Sequence, residues 1–317
     1  MKIFIDSNLK NPGSGKGFFC KRLSDVFKTK NIKMVGANDK PDIALHVIKI
    51  KNPSNASKRI LRLDGVCHDI KLNYKSKNKP IMQNMNKCDG VVYQSEWAKG
   101  MCDRYLGRFK GQTQVAINGH NLSFYNNIDP IKSDFQYCFF TASRWRPHKR
   151  LIESIESFLT ADIPDSCLYV AGDLSASGIS KQVLKKYWSN KVIYVGNLNQ
   201  QQMGSYFKAC QGYIHLCMTD SCPNSVVESV VANCCPIVSN EGGAPEIAGP
   251  SGGIVANIDK TYNKEPINLY NPPKIDINIV AEHLRFLANN KIELKRDHVD
   301  INRIADLYID LFNRVLS

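Results

Sequence analysis

The chain has 317 residues, of which 43% are hydrophobic, and it carries a formal net charge of +13 at pH 7. This length and composition allow two parallel-sheet domains with buried cores and exclude an intrinsically disordered chain. No run of about 18 apolar residues occurs, and the opening MKIFIDSNLK lacks the apolar core of a signal peptide, so we expect a cytoplasmic protein without an integral membrane segment.

The cysteines and the charge distribution indicate the redox environment and the kind of partner to expect. Eleven cysteines, an odd number without a C-x-x-C pair, indicate reduced core thiols and no zinc site. Residues 1–120 hold 23 Lys and Arg against 9 Asp and Glu, whereas residues 121–317 hold 19 against 20. Two interpretations stay open: a lysine-rich solvated surface, or an acidic partner that the first half binds.

Short apolar runs alternate with helical patterns along the first half, as in βα units. The predicted strands are Ile3–Ile5, Ile43–Val47, Ile60–Leu63, Gly90–Tyr93 and Gln114–Ile117. Helices are predicted at Phe18–Phe27 and Ser95–Tyr105, and the Asn-rich stretch Asn118–Lys132 is predicted to be a linker.

A second βα series follows the linker. Its predicted strands are Tyr137–Thr141, Leu168–Ala171, Val192–Val195, Tyr213–Leu216 and Pro236–Ser239. Its predicted helices are Leu151–Phe158, Gln200–Cys210, Ser225–Ala232, Ile277–Asn289 and Val299–Val315, with a Pro-containing loop at Asn257–Lys274. We therefore expect two doubly wound α/β domains, 1–128 and 129–317, facing a central cleft, with the last helix able to pack back on the first domain.

A glycine cluster, Gly13-Ser-Gly15-Lys-Gly17, lies between the first strand and the first helix, where backbone N–H groups can approach a phosphate. It is not a Walker A loop, because Gly17 follows Lys16 where Ser or Thr would be required. A simple tight turn explains the cluster equally well.

The second half carries the more specific pattern. Arg144 and Lys149 stand between a strand end and a helix, a position from which two cations can bind a diphosphate. Asp220 and Glu228, eight residues apart, flank a predicted helix start, and a carboxylate in that helix can accept the hydroxyls of a ribose. The N–H groups around Asn224 and Ser225 at the helix start suit sugar or phosphate oxygens.

These motifs resemble those of the retaining GT-B glycosyltransferases of family 4, over nearly the whole chain. The resemblance implies that Arg144 and Lys149, its R-x4-K pair, neutralise the donor diphosphate. It also implies that Asp220 and Glu228 stand in the E-x7-E motif, the first on the donor sugar and the second on the ribose, although Asp220 departs from the usual Glu. We include Gly15 and Gly172 among the donor-binding residues.

The first half resembles a branch of the same family. Its R-L-D-G block matches Arg62-Leu-Asp64-Gly65, followed by His68-Asp69, and Cys88–Trp97 and Asn118-Gly119 match two further blocks. His120 and Asn121 depart from the last block, and Trp97 replaces a common Phe. The resemblance implies that His68 and Asp64 position groups in the cleft, whereas a capping role for Asp64 is an equal alternative. His148 and His215 are expected to serve structure.

The predicted reaction is transfer of a sugar from a nucleoside-diphosphate sugar to an acceptor hydroxyl, with retention implied by the resemblance. No D-x-D occurs in the chain, so we expect no metal and no cofactor, with Arg144 and Lys149 stabilising the leaving group. The expected partner is an anionic acceptor: a glycan, a lipid headgroup at a membrane surface, or DNA with hydroxylated bases. The alternatives are a DNA-modifying glycosyltransferase and an inactive GT-B binding module.

Overall fold

A computed structural model describes residues 1–11, 13–260 and 262–317 of the chain. The chain divides into two compact units, each with its own six-stranded parallel sheet. Unit 1 comprises Met1–Asn121 and Asp297–Ser317, and unit 2 comprises Leu122–Arg296. This division differs from the expected domains 1–128 and 129–317 at residues 122–128 and at the C-terminal segment.

Unit 1 begins with alternating strands and helices, and its strands are the buried apolar runs of the sequence. The strands are β1 (Lys2–Asp6), β2 (Lys33–Met34), β3 (Ile43–Val47), β4 (Lys58–Leu63), β5 (Gly90–Tyr93) and β6 (Gln112–Val115). The helices are α1 (Gly15–Thr29), α2 (Tyr74–Met85) and α3 (Glu96–Leu106). The sheet order is β2-β1-β3-β4-β5-β6, so the chain reverses direction across the sheet after β2, as in doubly wound folds.

Two helices of unit 1 show what local chemistry adds to the apolar pattern. Helix α1 begins three residues earlier than predicted, because the Ser14 hydroxyl accepts the Gly17 N–H and caps the helix. Helix α2 was not predicted, since Lys, Asn and the internal Pro80 hide its apolar face. Its buried residues are Asn78 and Met85.

Unit 2 repeats the architecture. Its strands are β7 (Tyr137–Ala142), β8 (Ser166–Ala171), β9 (Val192–Gly196), β10 (Gly212–His215), β11 (Cys235–Ser239) and β12 (Ile254–Ala256). Its helices are α4 (Leu151–Ala161), α5 (Lys181–Tyr187), α6 (Gln200–Ala209), α7 (Asn224–Val231), α8 (Pro245–Ser251) and α9 (Ile277–Asn289). In the sheet order β12-β11-β10-β7-β8-β9, β7 and β10 are neighbours, which brings the segments after them to one edge.

The last helix, α10 (Ile301–Leu316), belongs to unit 1. Its buried residues recur at helical spacing, and Tyr308 and Phe312 pack against Phe19 and Phe27 of α1 with ring centroids 6.1 and 5.8 Å apart. Gly119 allows this approach, because a Cβ there would lie 2.8 Å from the Cα of Ile301. Across the described ranges, no helix combines the length and apolarity that crossing a membrane requires.

Candidate functional site

The strongest ionic contact among the predicted site residues joins Lys149 and Asp220 in unit 2. Lys149 ends a single 3-10 turn after β7, and Asp220 follows β10, so the adjacency of these strands brings together residues 71 positions apart. The Lys149 Nζ lies 2.5 Å from the Asp220 Oδ2, and the side chains are 16% and 26% exposed. Each group stays charged because its partner's opposite charge outweighs the unfavourable effect of burial.

The acid–base properties of this pair follow from its surroundings. Burial would raise the pKa of the Asp220 carboxyl, but the Lys149 ammonium and the Cys222 N–H lower it to about 2. Burial would lower the pKa of Lys149, but the Asp220 carboxylate raises it above its usual value. The pair therefore presents a permanent cation, and that cation can exchange its carboxylate partner for a diphosphate.

Two further groups surround the ammonium. The His215 imidazole, the Cys217 thiol and the Asp220 carboxylate place ligand atoms within 4.8 Å of one another, and Lys149 lies beside Cys217 as well as Asp220. The Nε2 atom of buried His215 has no hydrogen-bond partner among the described residues, and burial, followed by the Lys149 charge, lowers the pKa of His215 to about 3. Cys217 was not singled out in the sequence, because Lys149, the charge beside it, lies far away along the chain.

Arg144 occupies a different environment from Lys149. It follows β7 directly, its side chain is 70% exposed, and its Nε lies 3.6 Å from the Asp173 Oδ2. The structure therefore pairs Arg144 with Asp173, and pairs Lys149 with Asp220. The Arg144 guanidinium stays accessible to an anion in solution.

Helix α7 carries three of the predicted donor-binding residues. Asn224 and Ser225 are its first two residues, and Glu228 lies one turn further on, so the three share a helix face. All three are partly exposed, and α7 begins without a side-chain cap hydrogen bond. The Gln200 amide at the start of α6 donates to the Glu228 Oε1 at 3.1 Å and orients this carboxylate.

Glycines shape the loops beside these residues. Gly172 follows β8 with φ +107°, and a Cβ there would lie 1.9 Å from the Ser143 carbonyl oxygen, so this position requires glycine. Gly243 donates its N–H to the Asp220 carbonyl at 2.8 Å and thereby anchors the Asp220 loop to the turn after β11.

A buried ion pair that was not predicted lies next to the Lys149 turn in the chain. Arg150 donates to both carboxylate oxygens of Asp259 at 2.9 and 2.5 Å, and both side chains are buried. Arg150 adopts a left-handed backbone conformation, φ +57°, between the Lys149 turn and α4. The pair was invisible in the sequence because its members are 109 residues apart.

In unit 1 residues from three motif blocks of the sequence meet in one hydrogen-bonded network. Arg62 donates to Asp64 and, at 2.6 Å, to the Asn118 Oδ1, while Gln94 donates to Asp64 at 2.5 Å. The Arg62 guanidinium also lies 4.7 Å from the centroid of the Phe19 ring. The sequence assigned no role to Arg62, Gln94 or Asn118; in the structure their network holds the Asp64 carboxylate in place.

His68 is more enclosed than the sequence suggested. Its Nδ1 lies 3.3 Å from the Val66 carbonyl oxygen, and its ring contacts Trp97 and Tyr105. Its buried Nε2 finds no hydrogen-bond partner in the part of the chain that the structure describes. Burial lowers the pKa of His68, so the imidazole is neutral at pH 7. Donation from Nδ1 to Val66 would leave Nε2 as an acceptor that a small movement could expose.

Gly15 is the exposed first residue of α1, next to the Ser14 cap. The predicted residues thus form three local groups: Lys149 with Asp220, Glu228 with Asn224 and Ser225, and Asp64 with its network. Arg144, Gly172, Gly15 and His68 lie outside the contacts of these groups.

Comparison with solved structures identifies the architecture. The sucrose-phosphate synthase of Thermosynechococcus elongatus superposes with a TM-score of 0.67 at 12% identity, covering 99% of both chains. The HepE protein of Anabaena, in complex with UDP, gives a TM-score of 0.61 at 15% identity over 98% of both chains. A glycosyltransferase of Rickettsia africae gives 0.63 at 14% identity, covering 100% of this chain and 98% of that one. The fold is GT-B.

Sequence comparison adds a match to part of this GT-B chain. Residues 128–264 match the family model described as Glycosyl transferases group 1. The matched range includes Arg144, Lys149, Asp220 and Glu228 and excludes Asp64 and His68. A search of curated protein sequences found no match.

Proposed function

We propose that this chain is a retaining glycosyltransferase of the family-4 type that transfers a sugar from a nucleoside-diphosphate sugar to the hydroxyl of an anionic acceptor. The observation that carries this proposal is the Lys149–Asp220 ion pair, which stands at the edge of the unit 2 sheet inside the range that matches the glycosyl transferase model. Parallel α/β sheets bind ligands at the carboxyl ends of their strands, where β7 and β10 lead into these two residues.

Each donor-side residue has a distinct task in this proposal. The Lys149 ammonium and the exposed Arg144 guanidinium bind the diphosphate and stabilise the charge that develops when the glycosidic bond to it breaks. Asp220, once Lys149 has turned to the phosphates, accepts a hydroxyl of the donor sugar. Glu228, oriented by Gln200, accepts the ribose hydroxyls.

The acceptor side of the reaction belongs to unit 1. A donor phosphate oxygen takes the acceptor proton, so unit 1 need only position the acceptor, through Asp64 and His68. Gly15, the exposed first residue of α1, stays a predicted donor-binding residue. Asp64 is suited to positioning because its network holds it in one orientation.

The proposed reaction uses no metal and no cofactor, because two protein cations replace the divalent ion that D-x-D enzymes hold. All eleven cysteines are free thiols, which supports a reducing, cytoplasmic location. Turnover should continue in the presence of a chelator. Loss of turnover with chelator and its return with manganese or magnesium would assign the leaving-group role to a metal.

Two other functions have specific support. The excess of Lys and Arg in unit 1 is compatible with a DNA-modifying glycosyltransferase that acts on hydroxylated bases. Asp220, where the family has Glu, favours an inactive binding module. Slow hydrolysis of a nucleotide sugar without acceptor would exclude the inactive module.

The direct test is a thermal-shift measurement of the full chain against a panel of nucleotide sugars and bare nucleotides. Uridine compounds come first, because structures of the Anabaena HepE protein contain UDP and UDP-glucose. A ligand at 100 times its dissociation constant stabilises the folded state by about 2.7 kcal/mol. A nucleotide sugar should raise Tm in wild type and much less in the Lys149→Ala variant, and a uniform lack of response to the panel would overturn the proposal.

A further inference from the structure

A strongly basic stretch of unit 1, residues 70–88, is not used by the proposed donor chemistry. It contains Lys71, Lys75, Lys77, Lys79 and Lys87 and no Asp or Glu. All five lysines are exposed, and none forms a salt bridge with another described residue. Other lysines of the unit, such as Lys21, Lys30 and Lys58, have aspartate partners within 3.4 Å. We call residues 70–88 the basic segment.

The basic segment is held rigidly and is extended by a second basic loop. The Asn78 side chain accepts the Cys67 N–H at 2.8 Å and donates to the Cys67 carbonyl at 2.7 Å, which fixes α2 against the preceding loop. The Asn84 Oδ1 accepts the Ile50 N–H at 3.0 Å and so docks the loop after β3 on α2. That loop adds exposed Lys49 and Lys51.

The basic segment also exposes aliphatic side chains. Ile70 and Leu72 are 55% and 41% exposed and flank Lys71 just before α2. Aliphatic groups beside lysines suit the boundary of a bilayer, where the side chains enter the acyl region and the ammonium groups meet lipid phosphates.

A polynucleotide fits this surface less well than a bilayer does. Proteins that bind single strands use exposed aromatic rings on which bases stack. The aromatic residue of the basic segment is Tyr74, and its ring packs edge-on against Tyr105 with centroids 5.8 Å apart. Exposed Ile70 and Leu72 have no corresponding use on a phosphodiester backbone.

We propose that the basic segment docks unit 1 on a bilayer rich in anionic phospholipid. Ile70 and Leu72 enter the interface, and the lysines of α2 face the headgroup phosphates. The idea that this membrane supplies the acceptor rests on the proposed glycosyl transfer. Docking itself requires neither donor nor turnover.

The test is flotation of the full chain with vesicles of phosphatidylcholine alone or mixed with phosphatidylglycerol, without nucleotide sugar. A lysine near an anionic surface contributes about fivefold to binding, so the triple variant Lys75→Gln, Lys77→Gln, Lys79→Gln should bind mixed vesicles about 100-fold more weakly. The matched control is Lys33→Gln, Lys40→Gln, Lys110→Gln, which removes the same charge from exposed positions at the amino ends of the strands. Its binding should fall by less than tenfold.

A second variant tests the aliphatic contact. Ile70→Ser with Leu72→Ser should weaken binding to mixed vesicles about tenfold or more without changing the salt dependence. Equal binding to both vesicle types, or equal losses in the two lysine variants, would overturn the proposal. Binding of duplex DNA through the same lysines, with no vesicle binding, would replace the membrane by a polynucleotide. Vesicle binding by a chain that binds no nucleotide sugar would contradict the proposed function alone.

Discussion

Glu228 provides the most direct residue-scale prediction about donor recognition. In the proposed function, Glu228→Ala removes charge-assisted hydrogen bonds to the ribose, each worth about 1.5–3 kcal/mol. The dissociation constant for the donor should therefore rise about tenfold to a hundredfold in calorimetric titration, with Tm almost unchanged because the side chain is partly exposed. Glu282→Ala, an exposed change on α9, is the control, and wild-type donor affinity in Glu228→Ala would remove the ribose role.

Alanine variants of Lys149 and Arg144 should lose similar activity but differ in their free energy of unfolding. Lys149→Ala leaves the Asp220 carboxylate poorly solvated and unpaired, which should lower the free energy of unfolding by roughly 1–3 kcal/mol. Arg144→Ala should change it by less than about 0.5 kcal/mol, because that side chain is exposed. Both variants should lose about tenfold to a hundredfold in kcat. Urea unfolding together with turnover tests this, and equal stabilities would contradict the ion pair in the structure.

At the scale of elements, substitutions at two glycines distinguish the cost of a strained backbone from the cost of a steric clash between strand ends. Gly172 after β8 and Gly196 at the end of β9 both have positive φ, +107° and +78°, but a Cβ at Gly196 meets nothing within 4 Å. Gly196→Ala should therefore cost about 1–2 kcal/mol, the penalty of the left-handed backbone. Gly172→Ala should cost at least about 2 kcal/mol more, since its methyl would overlap the Ser143 carbonyl. Similar unfolding free energies for the two variants would mean that the loops after β7 and β8 are not in contact.

For the whole molecule, the charge is divided unevenly between the units. Unit 1 has 25 Lys and Arg against 13 Asp and Glu, and unit 2 has 17 against 16. Acceptor binding should therefore weaken as salt rises, whereas donor binding at the partly buried Lys149 should change little. Replacing Lys75, Lys77 and Lys79 with Gln should flatten the salt dependence of the KM for acceptor. The same salt response for donor and acceptor would mean that the positive charge of unit 1 has no role in acceptor binding.

Acid should destabilise both units through buried histidines. Burial first, and then Arg22 or Lys149, lowers the pKa of His120 in unit 1 to about 4 and that of His215 in unit 2 to about 3. The unfolded chain takes up these protons near pH 6.5, so the stability is fully present above that pH and is lost as pH falls toward 4. Each histidine contributes up to about 1.4 kcal/mol per pH unit in this range.

Urea unfolding at pH 7, 6 and 5 measures this effect. His120→Asn and His215→Asn should each give a flatter stability profile than wild type, whatever their stability at pH 7. His298→Asn, at a half-buried position, is the control. Profiles parallel to wild type in both variants would show that these imidazoles take up protons in the folded state.

Local patterns in the sequence were sufficient for most elements of the fold. The predicted strand Ile43–Val47 and helix Ile277–Asn289 coincide with β3 and α9, because the first is a nearly continuous apolar run and the second repeats its apolar residues at helical spacing. Helices α2, α5 and α8 and strands β2 and β12 escaped prediction. Helix α2 hides its apolar face among lysines, and the other four elements are too short to show a period.

The candidate site was likewise predicted from the sequence only in part. The residue types and the spacing of Arg144, Lys149, Asp220 and Glu228 were sufficient to nominate donor-binding chemistry, because such motifs are local in the chain. Only the tertiary structure decided that Lys149 pairs with Asp220 while Arg144 pairs with Asp173, that His68 is enclosed, and that α10 completes the core of unit 1. These outcomes depend on which strands are neighbours and which faces are buried, and those are properties of the packed chain that no local spacing encodes.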